Sequence, residues 1–429
     1  MVVTLILMFV MSIVGFFANR SFIFEQKTSA NQVRSTRAFE AAEAGLEWAV
    51  GKLNDPSVLD AVASCAPATA SFVTKVSFRD RYIAPTARSG STPAGFYPPA
   101  NSRAGCSVSD TGVLSCSCSA PGTWPTLGTS TDSRFVARFA AVVGDVNAVE
   151  IVVNGCTSSD AACDGSVTST ADALAEARAL IKVVPTLSQS PQAALVTGSA
   201  TIAGGALSIV NTDQASNGIA IDAGTSITGG SAVSVQSLPG TPPSAAMLDY
   251  DYALQDLTNA DLTGDLFFQS FFGKSFANYK ADPMTKVVSG CGNDTACGTV
   301  ISGFINQGFT QFWVDSDATF TNGNLPASGT LGTAAKPVFI ASSGNLALKS
   351  NLTAYGFLYA ATATADENYD YAGSGSGTLF GAIASRGDFN KGTGTLNIVY
   401  DPSVFGTGGA PSGLIVKVPG SWRDKSTSY

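Results

Sequence analysis

Side chains that move protons, hold metals or attack carbonyls are scarce in this sequence. Histidine is absent, which removes the commonest general base and metal ligand. The one dense acidic run is Asp366-Glu367-Asn368-Tyr369-Asp370. Carboxylates at Asp366, Glu367 and Asp370 are candidates for calcium, which takes about six to eight oxygen ligands; the plainer reading is a solvated loop. Carbohydrate cleavage needs paired carboxylates or a bound calcium, and this run is where either would arise. Gly373-Ser374-Gly375-Ser376-Gly377 has the letters of a nucleophile elbow. It lacks the strand–turn–helix setting and a histidine base, and reads as a low-complexity loop. No glycine-rich stretch has the lysine and following helix of a phosphate loop. These residues point to a non-catalytic protein without a cofactor.

The eight cysteines are the remaining reactive groups: Cys65, Cys106, Cys116, Cys118, Cys156, Cys163, Cys291 and Cys297. Cys156 with Cys163, and Cys291 with Cys297, close short polar loops whose spacing is too wide for a zinc site and which no histidine supplements. Disulfides in an oxidising compartment follow, and an even count fits export. Cys116 and Cys118 are too close to bond each other comfortably, so each pairs with Cys65 or Cys106, in either arrangement.

Apolar residues make up 45% of the 429, charged residues 13%, and there are 44 glycines. That composition suits a turn-rich β body built on more than one domain. The net charge of −8 with no basic block argues against a nucleic-acid partner.

The element that organises the rest is the first. Met1 to Ala18 carries no charge, and no proline occurs before Pro56. The apolar run reaches the lower limit for a membrane span. Phe39, Ala42, Leu46, Ala49 and Leu53 then recur at steps of three and four, a stripe for packing against something else. One helix of roughly 80 Å at about 1.5 Å per residue is expected over 1–55, ended by Asn54-Asp55-Pro56. A signal peptide would have a basic start and a cleavage site, and a simple anchor needs no amphipathic extension.

From Pro56 to about Thr131 the chain is polar and punctuated, with a strand expected only at Ser71 to Phe78. Strands are expected at Arg134 to Val143, Ala148 to Val153 and Ala179 to Val184. From Ala194 onward short β-prone runs alternate with Gly, Asn and Asp. Tyr355-Gly356-Phe357-Leu358-Tyr359 and Phe380-Gly381-Ala382-Ile383-Ala384 repeat one pattern 25 residues apart, a period that suits stacked coils; a β-sandwich is the plainer alternative. A helical insert is expected at about 244–308. Its phenylalanines from Leu266 to Phe276 read as a cap over an open end of the stack or as an exposed adhesive patch.

Gly15 and the phrase Ala38-Phe39-Glu40-Ala41-Ala42-Glu43-Ala44-Gly45-Leu46, after an uncharged start, resemble the N-terminus of type IV pilin-like proteins of the PilX minor-pilin type. The resemblance implies that Met1 follows a leader removed by a peptidase. It implies that Met1, Leu5, Gly15, Phe16 and Phe17 lie on a helix that leaves the inner membrane for a filament core. It also implies that the second half of that helix packs on a small antiparallel β head. Such proteins commonly carry a glutamate where this chain has Leu5. An unpaired carboxylate in an apolar core is costly, so Leu5 suits a tip position or a branch that dispenses with the group.

The expected fold is therefore α+β. A long N-terminal helix (1–55) packs on a disulfide-stapled β head (56–190), and a β-solenoid-like (β-helix) domain with its helical insert fills 191–429. The expected function is that of a structural minor pilin acting in assembly or priming, tip formation and adhesion. Its partners would be major and minor pilin subunits and a tip adhesin, with the inner membrane before assembly and an extracellular pilus after it. The competing readings are a membrane-anchored carbohydrate-binding or carbohydrate-active β-helix and the main subunit of a thick filament.

Overall fold

The computed structural model describes Val2 to Lys425 apart from residues 60–64, 69–75, 87–88, 90–91, 110, 128–132, 158–162, 164–172, 260–264, 290, 292–296, 322, 324, 326–328, 350, 361–370, 374–375 and 406–412. Asp366, Glu367 and Asp370 lie outside the described residues, as does Met1.

Helix α1 runs unbroken over Val2–Leu53. Most of the strand expected at Ser71 to Phe78 lies outside the described residues; at its end Phe78 opens the short helix α2 (Phe78–Tyr82), capped by the Ser77 hydroxyl, which accepts the Asp80 N–H. After a two-residue pair, β1 (Pro85–Thr86) with β2 (Gly95–Phe96), an antiparallel sheet begins. It contains β3 (Arg103–Val108), β4 (Leu114–Ser117), β5 (Ser133–Val142), β6 (Asp145–Cys156) and β7 (Leu174–Pro185). The β3–β4 hairpin falls in the punctuated segment for which little regular structure was expected.

Among the described residues, sixteen strands that pair in parallel follow. The first group is β8 (Leu195–Ile202), β9 (Ala206–Val210), β10 (Ile221–Ala223), β11 (Ile227–Thr228), β12 (Val233–Gln236) and β13 (Met247–Leu248). Helices α3 (Tyr252–Asn259), α4 (Asp265–Phe272) and α5 (Phe276–Ala281), strand β14 (Thr285–Val288) and helix α6 (Cys297–Asn306) form the insert. The second group is β15 (Gln311–Val314), β16 (Ala318–Thr321), β17 (Thr330–Leu331), β18 (Val338–Ser342), β19 (Leu346–Lys349), β20 (Leu352–Ala360), β21 (Tyr371–Gly373), β22 (Gly377–Lys391) and β23 (Thr395–Val399).

These strands stack in three parallel ladders. One runs β14-β15-β18-β20-β22-β8-β10-β13, a second β17-β20-β22-β23-β9-β12, and a third β16-β19-β21-β22-β8-β11. The repeat seen in the sequence sets the register: Tyr355 pairs with Phe380 and Gly356 with Gly381, and the two rings stack at 4.8 Å. The chain enters the stack at its middle, because β8 pairs with β22 on one side and β10 on the other.

The chain also leaves from the middle. The Tyr400 hydroxyl donates to the Pro191 carbonyl at 2.6 Å, and the last strands, β24 (Gly413–Lys417) and β25 (Arg423–Lys425), pair antiparallel with β7. This corrects the expected boundary. The parallel stack is inserted between β7 and β24, and residues from 413 onward belong to the first sheet rather than to a unit spanning 191–429.

The aromatic insert also sits differently from either expectation. Phe267, Phe268, Phe271 and Phe272 are buried against Trp313, Phe357 and Tyr359 on the outer face of the first ladder. They cover its flank, not its end. That explains why β15 and β18 are buried along their whole length and read as continuous apolar runs.

Four disulfides are present: Cys65–Cys118, Cys106–Cys116, Cys156–Cys163 and Cys291–Cys297. Cys106 and Cys116 face each other across the β3–β4 hairpin.

Candidate functional site

The feature that distinguishes this molecule is the uneven burial of α1. From Val2 to Phe24 every side chain described is exposed; Leu5 is 65%, Phe16 68% and Phe17 62% accessible. Gly15 has nothing within reach of a side chain. Among the described residues α1 is the one helix long and apolar enough to cross a membrane. An apolar surface of that extent needs lipid or protein around it.

The second half is held fast. Leu46, Ala49 and Leu53 are buried in one cluster with Phe135, Val149, Val153 and Ile181 of β5, β6 and β7. Ala42 is fully buried, while Phe39 stays half-exposed beside Ala38, Ala173 and Ala175 and meets Trp422 edge-on at 6.4 Å. Two glycines permit this approach. A side chain at Gly45 would meet the Phe135 ring at 2.6 Å, and one at Gly155 would land on the Ala38 carbonyl and within 2.5 Å of the Ala42 nitrogen. Gly155→Ala is accordingly expected to push α1 off β6 and cost about 1–3 kcal/mol. Thermal unfolding and protease cleavage near residues 38–46 would show it, whereas wild-type values would refute the close packing.

Where α1 meets the β24 edge of the sheet, Glu40, Glu43, Ala44, Leu46, Glu47 and Trp422 line an open hollow of about 330 Å³. Lys417 of β24 pairs with Glu47 at its rim. Composition gave no hint of this hollow, because Trp422 comes from the far end of the chain.

Elsewhere one carboxyl stands out. Asp222 on β10 has an oxygen with no hydrogen-bond partner. Burial, with help from the neighbouring Asp251 carboxylate, pushes its pKa up to about 6. Asp251 caps α3 by accepting the Ala253 and Leu254 N–H groups. A raised acid pKa means that the folded state holds the proton more tightly, so the stability contributed by Asp222 is fully present below its ordinary value of 3.8 and is lost as the pH rises from there through about 6. Among the described residues no three metal-ligating side chains converge.

Residues 1–47 match the family described as PilX N-terminal. Among solved structures, the competence-associated pilin ComZ from Thermus thermophilus aligns over 92% of this chain and 98% of its own. Its identity is 12% and its TM-score 0.25, so the alignment says nothing firm about the body. No curated protein matches. The uncovered apolar half of α1 and the half seated on the sheet fall in or beside the matched segment, and over residues 1–47 this chain is similar to the PilX N-terminal family.

Proposed function

We propose that the protein is a structural, non-catalytic subunit of a type IV pilus or related filament. The observation that carries this reading is the single helix that is bare and apolar for its first half and locked to a sheet for its second. Such a helix moves from lipid to protein surroundings without changing its own fold, since its backbone bonds are satisfied internally in either. In this reading α1 sits in the inner membrane before assembly, with the body in the periplasm, and afterwards packs among the helices of other pilin subunits.

The antiparallel sheet on α1 acts as the pilin head, and the three parallel ladders form a β-solenoid displayed outside. The bulk of that inserted solenoid, together with Leu5, favours a low-copy place in priming or at the tip, where the solenoid would meet a surface or a tip adhesin. N-terminal sequencing and mass spectrometry of fibres sheared from cells test this. The chain is expected in the fibres at low stoichiometry, and Phe16→Lys with Phe17→Lys is expected to remove it from them. Retention in the membrane fraction alone would overturn the filament reading.

A further inference from the structure

Between Lys182 and Lys274 the chain has no lysine or arginine, and its charges are all aspartates, Asp213, Asp222, Asp249, Asp251 and Asp256 among them. That stretch builds the last turns of the parallel stack. There β13, β12 and β11 end the three ladders and, among the described residues, pair on one side only. The basic side chains of β22, Arg386 and Lys391, are buried. The opposite end of the stack abuts the segment that follows α1: the Val58 N–H donates to the Gln307 carbonyl at 2.9 Å, and Met284 lies on Arg79. The free end is apolar within and acidic around. Ile227, Val233, Val235 and Met247 pack against the core yet stay half-buried. Strand β12 alternates Val233 and Val235 with the exposed Ser234 and Gln236, as a strand does when one face continues a core. Leu248, Tyr250 and Tyr252 are exposed beside it, and Tyr250 is held at φ +55°, uncommon for a bulky residue. Strand edges left open to solvent are usually blunted by lysine or proline; β12 carries neither.

We propose that this end of the stack docks an extended, basic segment of a different protein, which adds a strand to β12 and sets its cations against the aspartates. The proposal rests on the reading of a displayed stack and adds where on it a partner binds and what chemistry that partner has. Backbone pairing supplies the affinity in such an addition, and alternate side chains supply the specificity. Here apolar residues of the segment would cover Val233 and Val235, with lysine or arginine between them. A second copy of this chain does not fit, because like charges meet when two such ends face each other and the opposite end is already covered. Nucleic acid and anionic lipid are repelled by the same charge.

Fluorescence anisotropy of short labelled peptides, titrated with the full chain in nonionic detergent micelles, tests this. A peptide alternating valine and lysine is expected to bind and to slow amide exchange at residues 233–236. Peptides alternating valine with glutamate, or proline with lysine, are expected to bind about tenfold more weakly, the second because proline removes backbone donors. Asp249→Lys with Asp256→Lys, both at exposed positions, should turn the preference towards the glutamate peptide. Glu40→Lys with Glu43→Lys makes the same change of charge on α1 and should leave it unaltered. A proline–lysine peptide that binds as tightly as the valine–lysine one, an equal loss in both double variants, unchanged exchange at 233–236, or no binding of the valine–lysine peptide would each overturn the proposal. Such a failure with the chain still present in sheared fibres leaves the filament reading standing; absence from the fibres with the peptide still bound removes the filament reading and leaves the docking site.

Discussion

Adding one methyl group at Gly381 is expected to dismantle the parallel stack. At Gly356 and Gly381 the backbone turns from the second ladder into the first, at φ +139° and +142°. L side chains rarely adopt that conformation. A Cβ on Gly381 would fall on the Gly356 carbonyl oxygen, and one on Gly356 on that of Val338. Neither clash involves a flexible side-chain tip. Relief requires separating β22 from β20, which pair over nine residues and carry the stacked Tyr355 and Phe380. Gly381→Ala should therefore cost more than about 4 kcal/mol, the range reserved for defects of this kind. Denaturant unfolding of the full chain in micelles would register it as a large drop in midpoint. Gly51→Ala is the matched control: it sits in α1 with open space around it and should gain up to about 1 kcal/mol. Equal midpoints for Gly381→Ala and wild type would refute the register.

The same corner shows what a sequence can reveal. Tyr-Gly-Phe-Leu-Tyr and Phe-Gly-Ala-Ile-Ala repeat because adjacent turns occupy equivalent places, so the period of 25 is the register itself. Helix α1 was legible for a similar reason: its pattern of apolar residues is local and long. What stayed hidden depends on partners distant in sequence. Strand β24 is only five residues long and nothing beside it announces that β7 is its neighbour. The order in which the turns stack, with the first set against the last, has no local signature either. The acidic hollow joins residues 40–47 to Trp422, and no periodicity spans that gap. Asp222 and Asp251 each look like an ordinary surface acid until β10 and the start of α3 bring them together.

Arg79→Met is expected to loosen the point at which the helix, the sheet and the inserted stack are tied. Arg79 is buried at the start of α2. Its Nε donates to the Leu53 carbonyl at 3.0 Å, at the C-terminal end of α1, and its Nη2 donates to the Gly413 carbonyl at 2.8 Å, where β24 begins. Met284, just before β14, lies against the same nitrogen at 3.7 Å. Beside it, Asn54 holds both the N–H and the carbonyl of Ile415, at 2.7 and 2.8 Å. Burial lowers the guanidinium pKa to about 10, with Asp80 and Asp282 partly restoring it, so the group remains charged at neutral pH despite its desolvation. Methionine relieves that desolvation but leaves two interior carbonyls without a donor, each worth about 1–3 kcal/mol. A net loss of about 3 kcal/mol follows, and faster amide exchange at Ile415 should accompany it, because β24 is the strand left untied. Arg79→Lys keeps the charge but not the planar fork, and should fall between the two. If Arg79→Met melts as wild type and Ile415 stays protected, the tie lies elsewhere. If the loss appears, the attachment of the inserted parallel stack and of β24 to the end of α1 depends on this buried side chain.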